Sequence, residues 1–599
     1  MDRNTLVRWV VIAAAIFLFL KFGLPMLRGG DKPQSVPTEA YVNAPGFVAD
    51  TLDPPVEGKP AETPQEGELC EVVGNRFDAT LSTRGAGLVH FALRDQQYAN
   101  GGTFDMSTTP DYERWRSLRT TFRGEGANDQ VKFDRFPWKL ERLEGKKGCV
   151  FTYADELVTI KKTVRAADRA FELDVTTEVT NLAADTKSHR LGIGMYAYLP
   201  NADKEVDGKI VAHGVKGKLG RQSPFLTELS CAQGKDITRK NKDDFKEGWQ
   251  TVQGIDRYAA ISNYYFGQAL VPTVEGGSAD CSILAEDWFG QGQNRDDDKA
   301  GAVYHAKLVY PARKLAKGET ASYTQIAFLG PKERDVLAAA GRGSKAAPLA
   351  GDPKLGELIN LGFFSPVAKV LISFLVFLHA KVTFGNWGLA IILMTICVRL
   401  VLFPLTWKSI KATVGMRKLK PEVDSINTKF ADDAQAKNLA MMELWKKNGV
   451  NPFGGCLPQL VQMPVWFAMY TTLQTAVEMY HEKFLWFRDL SAPDPYYILP
   501  LVLGGFMILQ QRIVPQQPGM DPAQQKMMMW LMPGIFTVMM LFLPAALGIY
   551  MLTNSILGIV QQLAVEKFAP SGPAKKAGEI SVEEVPSSKV AMGKGKARV

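Results

Sequence analysis

The chain is poor in the residues from which soluble enzymes build their sites. Six cysteines and six histidines are spread over 599 residues. No cysteine pair has C-x-x-C spacing and no histidine pair has metal spacing, so no zinc site is expected. G-x-x-x-x-G-K-[ST], H-E-x-x-H and G-x-S-x-G are all absent. That argues against phosphate-loop hydrolysis, zinc proteolysis and the serine-hydrolase elbow. His481-Glu482 lacks a second histidine, and "GRGSK" at 341–345 lacks phosphate-loop spacing. No aspartate or glutamate lies well inside the apolar stretches of the C-terminal third, and no serine–lysine pair does either, which disfavours intramembrane proteolysis. The net charge of +8 is small for this length. A DNA partner is not expected, and neither is a cofactor.

What is present divides into two unlike halves. Residues 66–345 are polar and mixed, whereas 366–568 are dominated by Leu, Ile, Val, Met and Phe. The chain is too long for one domain. At the N-terminus, Arg3 and Arg8 precede the apolar run Trp9–Leu20, and Leu24-Pro25-Met26-Leu27 follows without a small-x-small cleavage site. An uncleaved anchor over 1–28, with its N-terminus inside, is expected. Residues 29–65 are rich in Pro, Gly, Thr and acids and read as a flexible linker. Over 66–345 the period is two. In "AFELDVTTEV", Phe171, Leu173, Val175 and Val179 take one face, while Glu172, Asp174 and Glu178 take the other. "LVTIKKTV" and "SYTQIAFLG" read the same way, which predicts a large external antiparallel β-sandwich. This half holds Cys70, Cys149, Cys231 and Cys281. In an oxidising compartment three disulfide connectivities are open to them, as are free buried thiols.

Asp352-Pro353 reads as a helix start, and Leu355, Leu358, Ile359 and Phe363 continue a stripe. The apolar stretch after Pro366 ends near Leu378, too short to span, so 350–380 is expected to be an amphipathic interfacial helix. Five span candidates follow at 385–407, 454–478, 496–513, 527–543 and 546–565. Each is near the roughly 20 residues that cross the hydrocarbon. With the anchor they make an α-helical polytopic membrane protein of six transmembrane helices, with a five-helix core over 383–568. The 408–452 loop holds nine cations against two in 480–495, and the tail after 569 holds six against three acids. By the positive-inside rule, 408–452 and both termini are cytoplasmic and 29–365 lies outside. The tail, 569–599, has little to bury and is expected to be disordered.

Arg399 is the sharpest single feature. It sits eight residues before Lys408 in an otherwise apolar span, about 12 Å inside the cytoplasmic end at the helical rise. An arginine is too short to snorkel that far, and a charge at that depth costs about 2.5–3.5 kcal/mol on the insertion scale. The cost is tolerable where the side chain meets a partner or a water-filled cavity. Thr395, one turn earlier, shares its face. Gln459 and Gln462 share a face of the next span, and Tyr550, Asn554, Gly558 and Gln561 or Gln562 line the last. Polar groups in lipid point at protein or water, so several helices are expected to line one hydrated interior. In 408–452, the stripes Val414, Leu419, Val423, Ile426 and Leu439, Met442, Leu444, Trp445 predict a cytoplasmic helical hairpin. Its basic residues Lys411, Arg417, Lys418 and Lys420 suit ribosomal RNA, anionic lipid or a targeting protein.

Four segments carry a resemblance: "GNWGLAIILMTICVRLVLFPLTWKS", "NPFGGCLPQLVQMPVW", "DPYYILPLVLGG" and "GIYMLTNSILGIVQQ". They resemble the YidC/Oxa/Alb family of membrane protein insertases. "STRGAGLVHFALRD", "GWQTVQGIDRYAAISNYYF" and "AFLGPK" resemble the external domain of its Gram-negative form more loosely. The resemblance implies a bacterial inner-membrane protein that inserts and helps fold new membrane proteins through a hydrophilic, positively charged groove open to the cytoplasm and lipid. Arg399, Thr395 and Tyr550 match groove positions of the family. Nascent membrane proteins, the ribosome, the Sec translocon and the signal recognition particle with its receptor are the implied partners. The chain departs from the family's pattern at Met551, where a second aromatic is usual, and at Asn554-Ser555, which reads in the reverse order. A small-solute transporter or channel is the alternative, although no paired, interrupted spans suggest inverted repeats.

Overall fold

A computed structural model describes residues 67–568 apart from short internal stretches, among them 110–114, 124–128, 131–137, 223–226, 289–299, 344–348, 449–456 and 514–521. The expected anchor, linker and tail therefore lie outside the described residues. Two compact units emerge. The first comprises Met1–Met394, Pro464–Leu501 and Val538–Tyr550, and the second Thr395–Met463, Val502–Thr537 and Met551–Val599.

The first unit is built on β-structure. Strand Glu172–Asn181 shows why: Phe171, Leu173, Val175 and Val179 are all fully buried along one face, as the alternation requires. It sits inside a nine-stranded antiparallel sheet, between Thr320–Pro331 and Val158–Ala166. A six-stranded antiparallel sheet, centred on Ala279–Trp288, Gly301–Val309 and Leu191–Pro200, packs against it. These are the two layers of a sandwich, and a four-stranded sheet from Leu69 to Asp105 adjoins them. The four cysteines of this half form disulfides, Cys70–Cys149 and Cys231–Cys281. Each joins two different sheets: Cys231 belongs to the nine-stranded layer and Cys281 to the six-stranded one.

One residue departs from the alternating pattern. Glu172, expected on the polar face, is completely buried. Its carboxylate accepts from the Gly341 backbone N–H at 2.6 Å and from Arg169 Nε at 2.8 Å. Burial pushes its pKa up, and those two partners pull against the shift. A buried acid with two donors is what a polar–apolar alternation cannot register.

The helix expected over 350–380 starts later than that reading places it. Asp352 accepts from the Lys354 N–H at 2.9 Å in a local turn, and Lys354 has φ +50°. A left-handed residue there breaks a helix begun at Pro353, and the extended Ile359 ends the short 3-10 turn Leu355–Leu358 that follows, before helix α1, Ser365–Lys381. Pro366 stands in the first turn of α1, where its missing N–H is harmless.

The α-helices that follow α1 among the described residues are α2 (Trp387–Lys418), α3 (Lys420–Lys429), α4 (Ala434–Lys447), α5 (Leu457–Gln474), α6 (Ile498–Ile513), α7 (Pro522–Met540) and α8 (Ala545–Phe568). All five span candidates are thus helical. Among the described residues two helical stretches, Trp387–Ile410 and Ala545–Phe568, are long and apolar enough to cross a bilayer, and Ile498–Ile513 and Met529–Met540 are shorter apolar helices. Their apolar faces point outward: Val401 is 79% exposed, Leu400 64% and Val560 55%. Apolar surface on that scale is stable against lipid, not water.

The 408–452 region differs from the expected hairpin in where its first helix begins. Helix α2 runs on to Lys418, so Val414 belongs to it, and α3 and α4 alone make the hairpin. Asp433 caps α4 by accepting from the Gln435 and Ala436 N–H groups. The hairpin seam is Leu419, Val423 and Ile426 against Met441, Leu444 and Trp445. Leu439 and Met442, expected in that stripe, are exposed. The i, i+3, i+4 set beginning at Met441 faces α3 instead.

Within the first unit, the connector between α5 and α6 is docked on the β-domain. Arg334 Nη1 donates to both Glu478 oxygens at 2.6 and 2.7 Å. Gln97 Nε2 donates to the Glu478 and Tyr480 carbonyls, and His481 Nδ1 lies 2.7 Å from the Gln97 carbonyl. Tyr480 is buried against Tyr98, Tyr265 and Phe266. The α7–α8 turn joins the same connector, with the Ala545 and Ala546 N–H groups donating to the Ala492 and Leu490 carbonyls.

Candidate functional site

Helix α2 carries Thr395 and Arg399 on one face, four residues apart. Thr395 is buried at 2% exposure and Arg399 is half-buried. Both fall in the second unit, with Gln462, Gln510, Asn554 and Gln561. Arg399 reaches α8. Its Nε donates to Asn554 Oδ1 at 2.7 Å and its Nη2 to the Asn554 backbone carbonyl at 2.9 Å. Its Nη1 donates to Gln561 Oε1 at 3.2 Å, and Gln561 Nε2 lies 3.4 Å from the Arg399 carbonyl. From α5, Gln462 Nε2 donates to the same Asn554 Oδ1 at 3.2 Å. Two carboxamides of α8 therefore meet the guanidinium of α2, and a third, from α5, holds one of them. Amide oxygens satisfy guanidinium N–H groups without cancelling the charge themselves.

Helix α6 adds a residue the sequence reading passed over. A side-chain carbon placed at Gly558 would lie 3.0 Å from Gln510 Nε2 and 3.4 Å from Arg399 Nη2. Gln510 therefore reaches the same spot on α8 as the arginine. The signal was available: Gln510 is a carboxamide near the end of an apolar helix, and the rule applied to Gln459 and Gln462 applies equally to it.

Other expected site residues are placed differently. Gln459 lies on α5, in a segment whose side chains fall outside the description. The same holds for Lys411, Arg417 and Lys418 at the end of α2 and for Lys420 at the start of α3. Tyr550 is buried at 3% exposure and falls in the first unit. Among the described residues no group of three or more His, Cys, Asp or Glu side chains could hold a metal.

A large β-rich unit, outward-facing apolar helices and a polar cluster around an arginine on an apolar helix are the features of a membrane protein with a β-rich domain. Two family models divide almost the whole described chain: "YidC periplasmic domain" matches 70–374 and "60Kd inner membrane protein" matches 377–572. The chain is similar to the membrane protein insertase YidC of Anaeromyxobacter sp. (strain K), 34% identical over 86% of this chain and 87% of that one. It is likewise similar to the YidC of Geobacter sp. (strain M21), 32% identical over 82% and 84% of the two chains. With the YidC of Geotalea daltonii it shares 30% identity over 94% and 98%. The chain belongs to the YidC family, and its β-rich half is the family's periplasmic domain.

Proposed function

We propose that this protein is a membrane protein insertase that passes new inner-membrane proteins into lipid through a hydrated groove centred on Arg399. The observation that carries the reading is that Arg399 of α2 donates to Asn554 and Gln561 of α8, with Gln462 of α5 bonded to Asn554 in turn. Thr395, Gln459, Gln510 and Tyr550 are assigned to the same route. A client helix of about 20 apolar residues gains roughly 6–12 kcal/mol on insertion, summed per residue, so the end state needs no fuel. The obstacle is the polar flank. A cation in a wet groove shortens its dry path and gives an acidic flank a transient partner.

The proposed topology has six spans and both termini in the cytoplasm, with 29–365 in the periplasm. Docking of the α5–α6 connector and the α7–α8 turn with the β-domain supports it, because all three must then share one side of the membrane. The hairpin α3–α4, with Lys411, Arg417, Lys418 and Lys420 at its base, is proposed to meet the ribosome, the signal recognition particle and its receptor, the Sec translocon or anionic lipid.

The test is insertion of a short single-span protein with an acidic translocated flank. At an effective dielectric of about 20, one charge pair at 4 Å is worth about 4 kcal/mol; in bulk water it is worth about 1. Arg399→Ala is therefore expected to slow insertion by at least fivefold, with Arg399→Lys retaining most activity. Unchanged insertion in Arg399→Ala would remove the charge from the mechanism. A cysteine at 395, with the two cysteines of the apolar half removed as Cys397→Ala and Cys456→Ala, should react with a water-soluble thiol reagent from the cytoplasmic side; resistance to it would mean the groove is dry.

A further inference from the structure

We infer that Asn554 is the positioning residue for Arg399 and that the glycine one turn later, Gly558, is what lets it act. The inference rests on the groove reading above. A guanidinium has two bidentate edges, one formed by Nε and Nη2 and one by Nη1 and Nη2. Asn554 takes the first edge with two different oxygens, its side-chain Oδ1 on Nε at 2.7 Å and its own backbone carbonyl on Nη2 at 2.9 Å. A single residue thus sets both the plane and the tilt of the group. Gln462 holds the Asn554 amide in turn, donating to the same Oδ1 at 3.2 Å.

The backbone half of this seat needs an unusual opening. In a helix the carbonyl of residue 554 is covered by whatever side chain stands at 558. Here that residue is glycine, and a Cβ on it would stand 3.4 Å from Nη2 and 3.0 Å from Gln510 Nε2. The carbonyl has a second lone pair, so it can accept from Arg399 without leaving the helix ladder. With the first edge fixed, the second edge is the one a client carboxylate meets. There Gln561 accepts from Nη1 at 3.2 Å, a neutral partner that a carboxylate outcompetes.

Position along the helix matters as much as residue type. Ser555, one residue on, is buried on another face of α8. Exchanging the two residues would turn the amide by about 100° around the axis, away from Arg399.

The experiment uses the full-length protein in membrane vesicles and two single-span test clients. One carries aspartates in its translocated flank and the other carries asparagines there. Variants are Asn554→Asp, Asn554→Ala, the exchange Asn554→Ser with Ser555→Asn, and Arg399→Ala as reference. Asn554→Ala and the exchange are expected to lower insertion of the acidic client about five- to tenfold, with the neutral client changed less than twofold, as for loss of hydrogen bonds to a charged group. Asn554→Asp places a carboxylate on Nε. It should keep or raise thermal stability while lowering acidic-client insertion at least as far, because the built-in acid competes with the client's. If Arg399→Ala impairs the acidic client and all three Asn554 variants spare it, the positioning role is wrong and the groove stands. If Arg399→Ala has no effect, the groove reading falls and this inference with it. Equal losses for both clients, tracking lost stability, would make Asn554 merely structural and overturn the proposal.

Discussion

Lys332 offers a test of how the periplasmic domain holds the chain that leads to the membrane. It stands just past the strand Thr320–Pro331, 3% exposed. Its Nζ donates to the carbonyls of Asn263 at 2.6 Å and Leu358 at 2.8 Å, tying the sheet to the turn that precedes α1. Burial lowers its pKa to about 7, with Glu228 opposing the shift and Arg239 and Arg334 adding to it. Between that value and the ordinary lysine value of 10.5, the unfolded chain binds a proton that the folded one does not. Stability must therefore rise with pH across that window and level off on either side. The full span is about 5 kcal/mol, and about 4 of it is still missing at pH 7. Lys332→Met keeps the volume and removes the titration, while leaving two carbonyls unsatisfied at about 1–3 kcal/mol each. Denaturant unfolding of the full-length protein in detergent, followed by tryptophan fluorescence from pH 6.5 to 10, gives both slopes. The wild type should gain up to about 1.4 kcal/mol per pH unit relative to Lys332→Met. Parallel curves for the two proteins would show that Lys332 is not the titrating group, and a wild type that loses stability relative to Lys332→Met as pH rises would refute the burial argument.

Two further outcomes follow from the same geometry. The Cys231–Cys281 disulfide closes a loop of 50 residues between the two large sheets, which the chain-entropy relation values at about 4 kcal/mol. Replacing both cysteines with alanine should lower the unfolding midpoint of the periplasmic domain markedly under non-reducing conditions, and an unchanged midpoint would contradict the staple. Gly558→Leu adds helix propensity of roughly 0.8 kcal/mol, yet fills the space beside Arg399 Nη2 and Gln510 Nε2. Stability measured by thermal unfolding should hold or rise while insertion of an acidic-flanked client falls; full insertion activity would show that the opening is not used.

The β-sandwich was legible because alternation is a local property: Phe171, Leu173, Val175 and Val179 announce one buried face without reference to any partner. Glu172 was misread for the same reason, since its donors, Arg169 and the Gly341 N–H, come from a nearby turn and from a segment 169 residues away. The disulfide pairing was not legible, because connectivity depends on sheet order and not on spacing. Arg399, Asn554, Gln561 and Gln462 were legible as polar residues in apolar helices, where the cost of burial makes each conspicuous. Gln510 carried the same signal but lies near a helix end, where a polar residue attracts less notice. The hairpin was recovered, with its seam displaced: Met441 faces α3 and Met442 does not, a difference of one residue that composition cannot resolve.

The choice of carboxamides around Arg399 bears on how the proposed route could work repeatedly. A carboxylate bound bidentately to a guanidinium gives a short, charge-assisted pair, and one buried away from water is hard to exchange. Asn554 and Gln561 instead offer neutral oxygens, with Gln462 holding the Asn554 amide, and the outermost contact is the 3.2 Å bond from Nη1 to Gln561. An arriving acidic flank can replace that contact with a stronger one, and on leaving it returns the guanidinium to a partner already in place. Binding is then favourable enough to draw the flank in and weak enough to release it once the apolar helix has entered lipid. The argument predicts an asymmetry. Gln561→Glu should trap the system by supplying a resident acid on the client-facing edge, slowing acidic clients more than neutral ones, whereas Gln561→Ala should leave release intact and cost little. Equal behaviour of the two variants with acidic and neutral clients would show that exchange at Nη1 is not part of the route.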